Sequence, residues 1–349
     1  MSAPPATTPP PPPPALPHRR ARHALRYVVA VVFTLVVAVI ALPDRILELD
    51  RRSPFAQIVS FRPWVLAGIL VLVVLLAVMM RFDRRVWPFV AGALVVLLIG
   101  VGVTVPRTIA EPVPAGGTPL KVLAFNTYEG SADVQALAAL IRTDQPDILS
   151  LEEAGARFSA KLAPLIEPLG YRLYPSNPDR GRREQDVNNV TAVVSSRLGT
   201  VTVDIGHETS TFPYVQVTGG GLGTLRYVAF HSVAPVPGSV PNWVSDMLLL
   251  QKWCAGGTPA IVAGDFNATD DHSAFREGMT GCGDAALQRG EGLTPTWGPF
   301  TLGPAVRDAG GPQIDHVLST GGITAEAWGA HDIAHSDHRA ITATLRLPG

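Results

Sequence analysis

Charge is scarce in this 349-residue chain. Only 16% of its residues are Asp, Glu, Lys or Arg, against 47% hydrophobic ones, a balance shifted from that of soluble proteins in the direction membrane segments shift it. Positive charge is short in the C-terminal two thirds. Residues 118–349 hold 16 Lys and Arg against 24 Asp and Glu, a net charge of −8, and lack the basic stripe with which a protein displaces counterions from a long nucleic acid. Extended nucleic-acid binding is therefore disfavoured. No His-Glu-x-x-His motif occurs, nor any compact His/Cys cluster of the kind that holds zinc. Cysteine is limited to Cys254 and Cys282, which leaves two readings, a disulfide in an oxidising compartment or a pair of buried thiols.

The apolar excess lies before residue 107. After a proline run at residues 9–14, read as an extended, disordered tail, come Arg19, Arg20, Arg22 and Arg26 and then three apolar runs, at 27–42, 64–80 and 87–105. Each is near the length needed to cross a hydrocarbon core of about 30 Å. The first ends Ala41-Leu42-Pro43-Asp44, without a small-x-small cleavage site, so it is read as a retained helix. Arginine sets the orientation. The N-terminal flank and the loop holding Arg81, Arg84 and Arg85 are densely basic, whereas the loop at 43–63 dilutes four arginines among three acids. With the dense clusters cytoplasmic, three crossings place everything after Val105 outside, behind a Pro- and Gly-rich linker at 106–119.

From Leu120 onward, short β-like runs alternate with helical ones. Strands are expected at 121–126, 148–152, 190–195, 200–205, 225–231, 260–264, 313–318 and 341–345. Helices are expected at 133–142, 157–169, 242–254 and 271–279. Val134, Leu137, Ala138 and Ile141 make an apolar stripe on the first helix, with Ser131 as its cap. About 230 residues of this kind suit one α/β domain, residues 120–349.

Polar residues gather where these strands end. Asn126 closes the first, Glu152-Glu153 the second and His231 a later one; Asp265-Phe266-Asn267 follows an apolar run, Asp315-His316 interrupts another, and Ser336-Asp337-His338 precedes the last. Strand ends that neighbour one another in sheets converge on one cleft. Hard carboxylate and amide oxygens suit Mg²⁺, and imidazoles with a free Asp move protons, so the collection fits attack of water on phosphorus.

The ordered set Asn126, Glu153, His231, Gly264-Asp265-Phe266-Asn267, Asp315 and Ser336-Asp337-His338 resembles the endonuclease/exonuclease/phosphatase superfamily over residues 120–347. That resemblance implies a four-layer α/β sandwich of two mixed sheets with helices outside, preceded here by three transmembrane helices. It implies Mg²⁺, with Mn²⁺ as a substitute, held by Glu153 with Asn126 and Asp337 near it. Asp265 would orient or deprotonate water, Asn267 hold a phosphoryl oxygen, His338 contact the phosphate while oriented by Asp315, and His231 assist the leaving group. The implied substrate is a lipid headgroup, a small phosphoester or a nucleic acid, and the implied second partner is a lipid bilayer. The family often has Gln before the metal Glu; Glu152 here either adds charge near the site or faces solvent.

Other residues keep ordinary readings. His207, His272, His331 and His335 are taken as surface or loop histidines. Thr296-Trp297 either meets substrate or packs. The charged run at 179–184 is read as a solvated loop.

Overall fold

The computed structural model describes residues 18–113, 115–177, 185–298 and 311–348, with side chains from residue 23 onward. The proline run and the charged run at 179–184 lie outside the described residues. Three long helices open the chain: α1 (His18–Ala41), α3 (Arg62–Met80) and α4 (Trp87–Thr104), with a short α2 (Phe55–Val59) in the loop between the first two. All three long helices have the length and apolarity to cross a membrane. They pack through Val37, Leu66, Ile69, Val96 and Leu97. Glycine permits the close approaches, since a Cβ at Gly92 would overlap Thr34 and one at Gly100 would overlap Leu66.

The remainder forms two six-stranded sheets. The first runs β11-β12-β1-β2-β4-β3, from β1 (Thr118–Asn126), β2 (Ile148–Glu152), β3 (Tyr171–Pro175), β4 (Val190–Ser195), β11 (Thr324–Asp332) and β12 (Arg339–Leu347). The second runs β5-β6-β7-β8-β10-β9, from β5 (Val201–Gly206), β6 (Tyr214–Gly219), β7 (Arg226–His231), β8 (Ala260–Asp265), β9 (Cys282–Asp284) and β10 (Asp315–Thr320). Both are mixed: β1 and β2 are parallel, as are β7 and β8, and the other pairings are antiparallel.

Two-residue periodicity explains the layers. On β1, Val122 and Ala124 turn inward to meet Tyr227, Ala229, Ile261 and Ala263 of the other sheet. Their neighbours Leu123 and Phe125 turn outward onto α5 (Val134–Asp144) and α6 (Ala156–Ile166). On the far side, Val228, Phe230 and Val262 meet α7 (Val240–Leu249), α8 (Gln251–Cys254) and α9 (Ser273–Gly278) through Trp243, Met247, Trp253 and Phe275. A short α10 (Ala285–Gln288) follows β9. The result is helix, sheet, sheet, helix, as expected.

Several local expectations need correction. The cap of α5 is Asp133, whose side chain accepts from the Gln135 and Ala136 amides, not Ser131; Asp133 is the last extended residue and so is the one placed to receive those amides. The expected helix at 242–254 breaks at Leu250 into α7 and α8. Strands β3, β6, β9 and β11 carry no clear alternating signal. Three of them lie at sheet edges, where β9 has three residues and β11 is bulged and half exposed, so burial imposes little pattern. His272 is fully buried, its Nε2 2.9 Å from the Ala56 carbonyl oxygen. Cys254 and Cys282 form a disulfide with 5.1 Å between Cα atoms, joining the end of α8 to β9.

Candidate active site

Strand pairing sets the first row of the site. In β8, Asp265 lies level with His231 of parallel β7 and with Asp315 of antiparallel β10, so three chemically active side chains stand side by side at one end of the sheet. Gly264 makes the close packing possible. Its φ is +147°, and a Cβ there would lie 1.9 Å from the Phe230 carbonyl oxygen and 2.7 Å from a Glu152 oxygen.

From the facing sheet, Asn126 at the end of β1 bridges the two halves. Its amide nitrogen donates to Asp265 Oδ2 at 2.9 Å and to Glu153 Oε1 at 3.1 Å, while its oxygen accepts the Tyr128 amide. Glu153 Oε2 also accepts the Glu129 amide at 2.6 Å. The surrounding backbone is held in an unfavourable region: Tyr128, Glu129, Glu153, Asn267 and His335 all have φ between +49° and +65°. Such residues persist only where the surroundings over-determine them. Thr127 does so for Glu153, since its hydroxyl lies within hydrogen-bonding reach of the carbonyl oxygens of Glu152 and Glu153.

The Ser336-Asp337-His338 turn closes the site. Ser336 donates to the carbonyl of Asn126 at 2.8 Å and accepts the His338 amide, tying β1 to the start of β12. His338 Nδ1 lies 3.0 and 3.1 Å from the two Asp315 oxygens. Its Nε2 is 3.7 Å from Asp265 Oδ2, and His231 Nε2 is 3.5 Å from the same oxygen. Asn267 donates its amide to Asp265 Oδ1 and its side chain to the Ser232 carbonyl. All eight expected residues thus gather within this region; Asp337 is tied to it through Trp297, which forms an isolated β-bridge with His338 and bonds Asp337 Oδ2.

Burial and opposite charge set the protonation pattern. Burial alone would lower His338 and raise the carboxyls, but the Asp315 and Asp265 carboxylates hold His338 up, to about 10. Burial raises Asp265, yet His338, His231 and the Asn126 bond outweigh it and bring the group down to about 2. Asp315 is raised by burial, with His338 opposing. Glu152 differs in kind. It is fully buried between the sheets, accepts from the Ser150 hydroxyl, and is pushed well above the usual carboxylate range by burial; it does not face solvent.

Two sets of donors are candidates for a cation. Ligand atoms of Asp265, Asp315 and His338 lie within 4.8 Å of one another, but both Asp315 oxygens already face His338 Nδ1, an imidazole-orienting arrangement. The oxygen-rich set of Glu153, Asn126 and Asp337 fits a hard cation better. Asp337 Oδ1 is buried without a hydrogen-bond partner, as expected of an oxygen whose partner is an ion or a substrate atom.

One contributor was not visible in sequence, and the Thr296-Trp297 pair is resolved as packing. Phe212 stacks on the His231 ring at 4.2 Å between centroids, from a loop without pattern. The Thr296 hydroxyl accepts the Ile314 and Asp315 amides. Trp297 donates its indole N–H to Asp337 Oδ2 at 3.0 Å, so it packs on and orients an acidic site residue.

A two-sheet α/β sandwich with carboxylates, amides and imidazoles meeting at its strand ends defines a phosphoesterase class of site. The Endonuclease/Exonuclease/phosphatase family model matches residues 123–338, and the chain belongs to that family, whose members are hydrolases of phosphoester bonds. Among solved structures it is similar to an endonuclease/exonuclease/phosphatase family protein from Bacteroides thetaiotaomicron, with 14% identity, 67% of this chain and 100% of the other covered, and a TM-score of 0.51. A functionally unknown conserved protein from Enterococcus faecalis V583 is similar at 12% identity, with 66% and 100% covered and a TM-score of 0.52. D. rerio TDP2 complexed with single strand DNA product is similar at 17% identity, with 66% and 99% covered and a TM-score of 0.50. At these identities the likeness is one of fold. No curated protein matches the chain by sequence.

Proposed function

We propose that this protein is a Mg²⁺-dependent phosphoester hydrolase, a phosphodiesterase or phosphatase, anchored by three helices with its catalytic domain outside the cytoplasm. The observation that carries the reading is the meeting of His231, Asp265 and His338 around one carboxylate oxygen, with Asn126 linking that oxygen to Glu153.

Glu153 and Asp337, with Asn126 beside them, would hold the cation; Mg²⁺, or Mn²⁺ in its place, supplies charge neutralisation at the phosphoryl group. Asp265, kept ionised by His338 beside it and by the Asn126 bond, orients the attacking water and accepts its proton. His338, kept protonated by Asp315 and Asp265, is suited to stabilise charge growing on the phosphoryl oxygens rather than to act as a base. Asn267 is placed to hold a phosphoryl oxygen. His231, flat against Phe212, is left to protonate the leaving group. The disulfide supports the outer location, because such bonds persist in oxidising compartments.

The test is hydrolysis by the full chain in detergent, with Mg²⁺ or EDTA, of DNA, RNA, phospholipids, sphingomyelin and inositol phosphates. Activity that needs the cation and vanishes in Asp265→Ala supports the reading. Cleavage of plasmid DNA that falls steeply with salt would move it to a membrane-tethered nuclease. A wild type inert on every member would leave a phosphate-binding module.

A further inference from the structure

The loop between α1 and α3 is more than a connection. Arg62, at the first turn of α3, is fully buried and pairs with Asp44 of the loop and with Asp271 of the catalytic domain. Arg107, just past α4, pairs with the same Asp271, and Arg276 donates to Asp44 at 2.9 Å. Asp50 accepts both the amide and the hydroxyl of Ser273, at 2.6 and 2.9 Å. Gln57 donates to the Pro235 carbonyl.

The position of these contacts in the catalytic domain is informative. Pro235 lies in the loop that leaves β7 after His231, and residues 269–272 lie in the loop that leaves β8 after Asp265, with Ser273 opening α9 at its end. The segment joining the first two apolar helices therefore grips the two loops that depart from the catalytic strand ends, not the opposite end of the sandwich. A cavity of about 110 Å³ continues the junction, lined by Phe61, Pro63 and Trp64 at the start of α3 and by Pro295, Pro312 and Gln313. Pro295 adjoins Thr296 and Trp297, and Gln313 lies two residues before Asp315. An exposed tryptophan at the end of a spanning helix marks headgroup level.

We infer that the 43–62 loop is a docking platform with Arg62 as its positioning residue, holding the cleft at the headgroup layer so that it works on phosphoesters carried by lipids of its own bilayer. This rests on the proposed hydrolase activity and adds to it the source of the substrate. A flexible tether would leave the domain free to meet soluble and lipid-borne phosphoesters alike. Ionic groups bonded across the junction hold one orientation, which raises the effective concentration only of substrates in the membrane plane.

Two chromogenic diesters with the same reacting group separate the sources: methyl p-nitrophenyl phosphate, which is soluble, and hexadecyl p-nitrophenyl phosphate, which resides in the bilayer. Water adds at phosphorus, the P–O bond to the aryl group breaks and p-nitrophenolate is released from both. With the full chain in phosphatidylglycerol/phosphatidylethanolamine nanodiscs, kcat/KM is expected to be at least tenfold higher for the hexadecyl ester. Arg62→Ala should remove most of that preference while leaving methyl ester hydrolysis within about twofold. Should Arg62→Ala fail to fold, the pair Arg51→Ala and Gln57→Ala, which removes the bonds of Arg51 to Ser273 and Glu277 and of Gln57 to Pro235 at the rim of the junction, should lower the preference at least threefold. Equal wild-type rates on the two esters, or variants that lose both activities in parallel, would overturn the platform while leaving the hydrolase reading intact. A wild type inert on both diesters would remove the phosphodiesterase form of that reading and this inference with it, leaving monoester hydrolysis to the substrate panel above.

Discussion

Two buried ionic networks stand in this molecule, and they differ in what they leave unsatisfied. In the junction network Arg62, Asp44, Asp50, Asp271 and Ser273 are bonded across it, and among the described residues none of their buried polar atoms lacks a partner. In the catalytic network Asp337 Oδ1, His231 Nδ1 and, beneath them, Glu152 Oε2 are buried and unpaired. Closed networks fix geometry; open ones hold groups ready for something that is not protein. Strained backbone is common to both: Glu153 and Asn267 at the catalytic network and Leu47 and Glu48 in the junction loop all have φ between +49° and +53°.

Substitutions should therefore separate along activity and stability. The largest effect on activity is expected from Asp265→Ala, a loss of about 10³-fold or more with the protein still folded and less destabilised than by Arg62→Ala, because the group that meets water and phosphate is removed. Activity assays beside thermal melts would check it, and a protein that unfolds instead would erase the contrast. Asp315→Asn should lower kcat by about 10²-fold by releasing His338 from its fixed orientation and charge, again measurable with intact melting. Arg62→Ala is predicted to show the inverse signature, a loss of about 3–5 kcal/mol of stability by denaturant unfolding, since Asp44 and Asp271 would be left buried without their cation.

Smaller effects sharpen the picture. Replacing Cys254 and Cys282 by alanine, or reducing the bond, should cost about 2–4 kcal/mol, seen as a lower unfolding midpoint with activity retained. His316 sits in neither network's reactive part. It is buried beside Asp284, 2.6 Å away, and although burial would lower its pKa, Asp284 raises it to about 9. A folded-state pKa above the unfolded value near 6.5 gives stability that is complete below that value and lost as pH rises through about 9. Melting temperatures measured from pH 6 to 10 should fall over this window, by an amount equivalent to about 1–3 kcal/mol; His316→Gln should flatten the decline.

Much of the fold was legible because solvent imposes a pattern that sequence must carry. The three long helices emerged from apolar runs, and in the structure Val31, Leu70 and Leu98 are more than half exposed, on helices long and apolar enough to cross a membrane. The central strands β2, β4 and β8 were legible for the opposite reason: buried on both faces, they read as continuous apolar segments closed by polar residues. Three of the four edge strands, β3, β9 and β11, were not, because half-exposed residues such as those of β11 obey no alternation; the fourth, β5, was.

The same division holds for the two ionic centres. Asn126, Glu153, His231, Asp265, Asn267, Asp315, Asp337 and His338 could be picked out in sequence, because each interrupts or ends an apolar strand and their order is that of a known family. That Glu152 is a buried core group, that Phe212 flanks His231, and that His272 and Arg62 lie buried at a junction were decided by tertiary structure alone. Sequence records which residues prefer water or oil, and strand and helix periods follow from that preference. A charged residue's surroundings come from segments far along the chain, as Arg62 meets Asp271 209 residues away, and only packing brings such segments together.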